Sequence, residues 1–143
     1  MSGFLGRYDF QMDEKGRVSL PSAFRKEAEG ERFILLQWEE PYLTLFPEKV
    51  WKEVQERLLE YRRRDPSASN HVREITSKAV EVSPDKQGRI LIPAWLQEAA
   101  SLEGTVLLNG NIDRVEIWNP GKYRESVEDR AEDFQRFAHQ IFG

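Results

Sequence analysis

A chain of 143 residues and 16.8 kDa is one ordinary domain, or two small halves that share a core. Its net charge of -4 and pI of about 5.3 rule out attraction of nucleic acid by overall charge, so any such role must rest on local patches. The absence of cysteine excludes a disulfide framework, a thiolate zinc site, an iron–sulfur site and a cysteine nucleophile, and the two histidines, His71 and His139, lack the close spacing of a metal site.

Charged residues make up 32% and apolar residues 39%, with a mean hydropathy of -0.66. The aromatics (Trp 4, Tyr 4, Phe 8) are too many for a disordered chain and predict a packed core. The longest strictly apolar run, Phe33-Ile34-Leu35-Leu36, is far short of a spanning helix. Arg7 and Asp9 fall where an export signal needs an apolar stretch. A cytoplasmic protein with no membrane partner is expected.

In chain order, a short strand over 6–12 meets a turn containing Gly16, and a second strand runs over 17–20. Two strands around a tight polar turn suggest a hairpin or a looped crossing. Pro21 starts a short helix, because proline is tolerated in the first turn; the helix runs to about residue 29 and stops at Gly30. Strands are expected over 32–38 and 43–46. A helix over 48–64 places Val50, Trp51, Val54, Leu58 and Tyr61 on one stripe. The segment 65–70 reads as a turn, with a short helix over 69–75. The same order then returns: strands over 79–83 and 89–92, a helix from Pro93 to about residue 102, and strands over 105–110 and 114–118. A single closing helix over 120–142 carries Tyr123, Val127, Ala131, Phe134, Ala138 and Ile141 at helical spacing.

That return is an internal repeat at an offset of 72. Asp13-Glu14-Lys15-Gly16-Arg17-Val18-Ser19-Leu20-Pro21 comes back as Asp85-Lys86-Gln87-Gly88-Arg89-Ile90-Leu91-Ile92-Pro93. From Tyr8–Trp51 to Val80–Tyr123 the register needs no gap and holds eight identities, among them Leu35/Leu107 and Leu36/Leu108. Chance gives roughly three. Apolar positions match further, as in Val18/Ile90, Leu20/Ile92, Phe24/Leu96 and Leu45/Ile117. Each β-rich half is too small for a sturdy core of its own, so the halves are expected to pack on each other.

The Asp-x-x-x-Arg turns are the sharpest chemical feature, and two readings stand side by side. In one, Asp13 and Asp85 accept backbone N–H bonds, Gly16 and Gly88 take positive φ, and Arg17 and Arg89 pair with those aspartates or lie in solvent. In the other, the turn projects its arginine toward a phosphate or a base edge, which suits a planar fork with parallel donors. Neighbouring charge favours the second. Arg7, Lys15, Arg17, Arg25 and Lys26 face only Asp9, Asp13 and Glu14 within the first 26 residues. The second copy is poorer: Lys86 and Arg89 stand against Glu81 and Asp85, with Gln97 in the place of Arg25. Arg62-Arg63-Arg64 reads as a helix C-terminus stabilised by cations. No Gly-rich phosphate loop or nucleophile elbow is present, and the abundant acids read as solvated faces. No enzymatic activity, cofactor, metal or small-molecule substrate is expected.

The order strand, Asp-x-x-Gly-Arg turn, β-branched strand and Pro-initiated helix resembles the AbrB/SpoVT DNA-binding fold, which also serves antitoxins of the MazE type. Two copies in a chain of this length, with Tyr8–Pro21 as the opening pattern, resemble the MraZ family over nearly the whole chain. The resemblance implies an α+β fold of two swapped-hairpin, AbrB/SpoVT-like β-rich half-barrels packed as an intrachain pseudo-dimer, with flanking helices. It divides the chain into repeat one (7–52), a helical linker (53–77), repeat two (78–123) and a C-terminal helix (124–143). It implies a nucleoid-associated transcription regulator, often a repressor, of the division-and-cell-wall gene cluster. Such a protein binds direct repeats in double-stranded DNA as a homo-oligomeric ring. The motif's Asp and Arg fall on Asp13 and Arg17, and again on Asp85 and Arg89. The candidate DNA-binding residues are therefore Arg17, Arg89, Lys15, Lys86, Arg25, Lys26 and Arg7, with Asp13, Gly16, Asp85 and Gly88 shaping the turns. An antitoxin-like module with protein-binding helical tails is the first alternative and an enzyme the second.

Overall fold

The computed structural model describes residues 3–30 and 32–143. Strands β1 (Arg7–Gln11) and β2 (Arg17–Ser19) flank the first turn, and α1 (Ser22–Glu27) follows Pro21. Next come β3 (Phe33–Leu36), β4 (Leu43–Pro47) and α2 (Glu48–Arg64). A 3-10 turn (Pro66–Ala68) and α3 (Ser69–Ser77) lead into β5 (Val80–Val82), β6 (Arg89–Leu91) and α4 (Ala94–Ala99). The chain closes with β7 (Thr105–Asn111), β8 (Arg114–Trp118), α5 (Pro120–Glu128) and α6 (Ala131–Phe142).

The strands beside each turn do not form a hairpin with each other. β1 lies antiparallel to β7, and β5 to β3, while β2 and β6 pair as a separate two-stranded ribbon. Each copy thus lends its first two strands to the other. The remaining strands form a six-stranded sheet in the order β1-β7-β8-β4-β3-β5. The fold is α+β, two β-rich units interlocked as an intrachain pseudo-dimer. Its approximate two-fold axis is visible in the register: Val18 faces Ile90 in the ribbon, and Thr44 faces Glu116 where β4 meets β8. Both pairs are separated by the repeat offset.

The core lies between ribbon and sheet. Val18, Leu20, Ile90 and Ile92 enter from one side, and Phe33, Leu35, Leu43, Leu45, Val106, Leu108, Val115 and Ile117 from the other, with Phe24 of α1 and Leu96 of α4 closing the gap. All four ribbon residues are buried, and each contributes about 1.5–3 kcal/mol by leaving water. On the outer face of the sheet, α2 presents Val50 and Trp51 to Leu36 and Phe46. At the other end Tyr42, Leu107, Trp118 and Tyr123 form a separate aromatic cluster.

Two expectations need correction. The ungapped repeat register fails at the third strand. Phe33 and Leu35 point into the core in β3, whereas Val106 and Leu108 do so in β7, so the counterpart of Leu35 is Leu108 and the Leu35/Leu107 identity is coincidental. The second copy has one extra residue between α4 and β7, where Gly104 takes φ +69°, and one fewer in the turn from β7 to β8. A one-residue slip exchanges the two faces of a strand, and burial of the sheet's inner face decides which register survives. The closing helix is also broken. Arg130 leaves helical geometry (φ -131°, ψ 21°), separating α5 from α6. Glu128 and Asp129 oppose the negative end of α5, while Glu132 and Asp133 favour the positive end of α6.

Candidate nucleic-acid interface

The ribbon brings the two turns together. Each follows the same hydrogen-bond plan. The Asp13 N–H donates to the Arg17 carbonyl at 2.9 Å and the Gly16 N–H to the Asp13 carbonyl at 3.0 Å. Asp13 Oδ1 accepts the N–H groups of Lys15 (3.0 Å) and Arg17 (2.8 Å), and Asp13 Oδ2 accepts Arg17 Nε–H at 2.7 Å. In the second copy Asp85 Oδ1 accepts from Gln87 and Arg89, both at 2.9 Å, and Oδ2 accepts Arg89 Nε–H at 3.0 Å. The backbone N–H of Arg17 is the main cause holding the Asp13 carboxyl below the ordinary value of 3.8, and Arg89 does the same for Asp85. Desolvation opposes both shifts. Each turn therefore favours the ionised form of its carboxyl, which orients the arginine through Nε. Among the described residues no hydrogen bond engages the terminal Nη nitrogens of either arginine, although Arg89 Nη1 comes within 3.9 Å of Asp13 Oδ2.

Strand pleating decides what the ribbon shows to solvent. Val18 and Ile90 point inward and are fully buried. The alternate residues Arg17, Ser19, Arg89 and Leu91 therefore point outward. Their register sets Arg17 against Leu91 and Ser19 against Arg89. The ribbon continues one step at each end, where the Leu20 N–H donates to the Gly88 carbonyl and the Ile92 N–H to the Gly16 carbonyl, both at 2.9 Å.

Strand exchange also redistributes the charge. Arg25 of α1 donates from Nε to the Leu20 carbonyl at 3.2 Å and lies over Gly88, the glycine of the opposite turn. Gln97 of α4 occupies the matching place over Gly16 and donates to the Ile92 carbonyl at 2.7 Å. The second turn, which looks poorer in cations along the chain, thus holds Lys86, Arg89 and Arg25 against Asp85. The first holds Lys15 and Arg17 against Asp13 and Glu14, with neutral Gln97 above it.

Lys15 and Lys86 are exposed within their turns, and Lys26 is exposed on α1, about 100° around the helix from Arg25. Arg7 stands apart. It opens β1, about 13 Å along the strand from Gln11, and its guanidinium lies 5.7 Å from the centroid of the Tyr123 ring. Ser19 and Leu91 are outward ribbon residues that motif reading passed over, and Gln97, read along the chain only as the residue in the place of Arg25, lies over Gly16. The two-residue alternation of β2 and β6 was the available signal for the first two.

The family model described as "MraZ protein, putative antitoxin-like" matches residues 4–73 and again 75–141. The chain belongs to the MraZ family. Each matched span contains one Asp-x-x-x-Arg turn. A relative from Leuconostoc mesenteroides named transcriptional regulator MraZ is 36% identical over 138 residues, 96% of this chain and 96% of its own. Relatives of the same name occur in Carboxydothermus hydrogenoformans, 40% identical over 116 residues (81% of this chain, 80% of its own), and in Heliobacterium modesticaldum, 36% identical over 140 residues (96% of each). Among the described residues, no helix is long and apolar enough to cross a membrane, no three His, Cys, Asp or Glu gather as a metal site, and no carboxylate is buried.

Proposed function

We propose that the chain is a sequence-specific DNA-binding transcription regulator, without enzymatic activity, that lays the outward face of the β2/β6 ribbon in the major groove. The observation that carries this reading is the pair of arginines set diagonally on the outward face of a two-stranded ribbon, each part-exposed and oriented through Nε by its own aspartate, with no hydrogen bond to its Nη nitrogens among the described residues. A major groove admits a two-stranded ribbon, and an arginine fork matches guanine O6 and N7. The structural and the functional readings of the turn thereby merge, since the aspartate that shapes the turn also aims the arginine. Lys15, Lys86, Arg25 and Lys26 supply phosphate contacts around the pair. Arg7 contributes at most from the periphery.

The relatives' name places the regulation at transcription. The finer reading is a nucleoid-associated repressor of the division-and-cell-wall gene cluster that binds promoter direct repeats as a ring. An acidic chain with few phosphate contacts per subunit gains affinity by linking several subunits on successive repeats. The exposed face of α6, with Phe134, Phe137 and Ile141, is the surface available for self-association. The same face supports the alternative of an antitoxin-like module that binds a protein partner. Footprinting on the DNA upstream of the chain's own gene, with sedimentation of the same sample, tests the reading. Repeated protected segments and a mass several times 16.8 kDa are expected. An unprotected promoter, or a stable monomer at micromolar concentration, contradicts it.

A further inference from the structure

The pseudo-two-fold axis through Val18 and Ile90 gives every outward residue of the ribbon a counterpart in the other strand. Arg17 and Arg89 preserve the symmetry. Ser19 and Leu91 break it. Leu91 sits directly across from Arg17 and is 52% exposed, whereas Ser19 sits across from Arg89. A lone exposed leucine is ordinary; its position across from Arg17 and two residues along the strand from Arg89 is what matters. Both arginines are held to their aspartates by Nε, so the apolar branch stands beside fixed side chains rather than beneath a flexible cover. In the major groove, the apolar feature that a base edge offers is the C5-methyl of thymine.

Resting on the DNA-binding reading above, we propose that Leu91 is a specificity-determining residue that packs on a thymine methyl beside the base pair read by Arg17. Ser19 gives the opposite half of the ribbon no such preference, because its hydroxyl both donates and accepts and suits several base edges. One ribbon then prefers a non-palindromic site and binds it in one direction, although its two arginines are related by approximate symmetry.

The test uses the full chain and the duplex footprinted upstream of its own gene, with each thymine replaced in turn by uracil, which removes only the methyl. The wild type is expected to lose about fourfold in affinity at one thymine, the worth of one buried methyl-sized group. Leu91→Ser should bind the thymine and uracil duplexes alike at that position while melting as the wild type does; Ser is already the native residue at the symmetric site. Ser19→Leu should create a second uracil-sensitive position on the other side of the axis. The proposal is overturned if the wild type is indifferent to every thymine, or if Leu91→Ser keeps the wild-type discrimination. If Arg17→Ala loses binding while Leu91→Ser discriminates unchanged, this inference alone falls. If the wild type does not bind the duplex at all, the DNA-binding reading falls with it.

Discussion

Exchange of strands between the copies makes an unequal prediction for two glycines that look equivalent along the chain. Gly16 and Gly88 hold φ of +85° and +77°, so an alanine at either place incurs about 1–2 kcal/mol for left-handed backbone. The added Cβ meets different neighbours. At Gly88 it approaches the Arg25 guanidinium, with Cζ at 2.8 Å, and the end of a long side chain can swing away. At Gly16 it meets Gln97 Nε2 and, at 2.8 Å, the Ile92 carbonyl oxygen, which is backbone. Displacing that carbonyl disturbs the Ile92 N–H bond to Gly16 and the Gln97 bond to Ile92, each worth about 1 kcal/mol. Gly88→Ala should therefore cost about 1–2 kcal/mol and Gly16→Ala about 2–4 kcal/mol. Thermal unfolding followed by circular dichroism should show Tm falling by about 3–6 °C and about 6–12 °C respectively. Removing the side-chain neighbour in Gly16→Ala/Gln97→Ala should leave most of the loss, because the carbonyl remains. Equal shifts for the two glycines, or a larger one at Gly88, would refute the crossed packing.

Acid should weaken the turns in a defined direction. Asp13 and Asp85 are held below 3.8 by the N–H groups of Arg17 and Arg89, so their contribution is complete above that value and is lost as pH falls through the folded-state values. Tm against pH should drop less steeply in Asp13→Asn/Asp85→Asn, and an unchanged acid limb would sink the assignment. Arg25→Gln, which imitates Gln97, should weaken DNA binding and lower the salt slope by about one if Arg25 meets a phosphate; the same slope as wild type contradicts that contact. Ile90→Ala, in the fully buried centre of the ribbon, should cost about 2–5 kcal/mol, and a loss under 1 kcal/mol in chemical denaturation would argue against the ribbon's place in the core.

Much of the element order was legible because its signals are local. Pro21 and Pro93 mark helix starts, glycines mark the turns, and Val18/Leu20 with Ile90/Ile92 alternate as half-buried strands do. Pairing is not local. Nothing in Arg17–Ser19 tells β2 to choose β6 over β1; burial of Val18 and Ile90 against the six-stranded sheet makes that choice. For the same reason the reach of Arg25 over Gly88 was invisible, and so was the charge it returns to the second turn. The repeat offset misled at Leu35/Leu107 because leucine-rich strands match by chance at neighbouring registers, whereas only one register buries the correct face. The break at Asp129-Arg130 was hidden by an apolar stripe that continues across it. Beyond Tyr123 the stripe, with Val127, Phe134 and Ile141 exposed, joins no core cluster among the described residues that would hold a single helix straight.

The central claim is that Arg17 is aimed at DNA by the turn that holds it. Titration of wild type and Arg17→Ala on the footprinted duplex, paired with melting curves of both proteins, tests it most directly. The variant should melt close to wild type, because Val18 and the backbone bonds of the turn remain. Its affinity for the specific site should fall about 5- to 150-fold, the worth of about 1–3 kcal/mol for a bidentate contact to guanine. An Arg17→Ala protein that melts early yet binds the site with wild-type affinity when folded would make the arginine a purely structural brace and contradict the account.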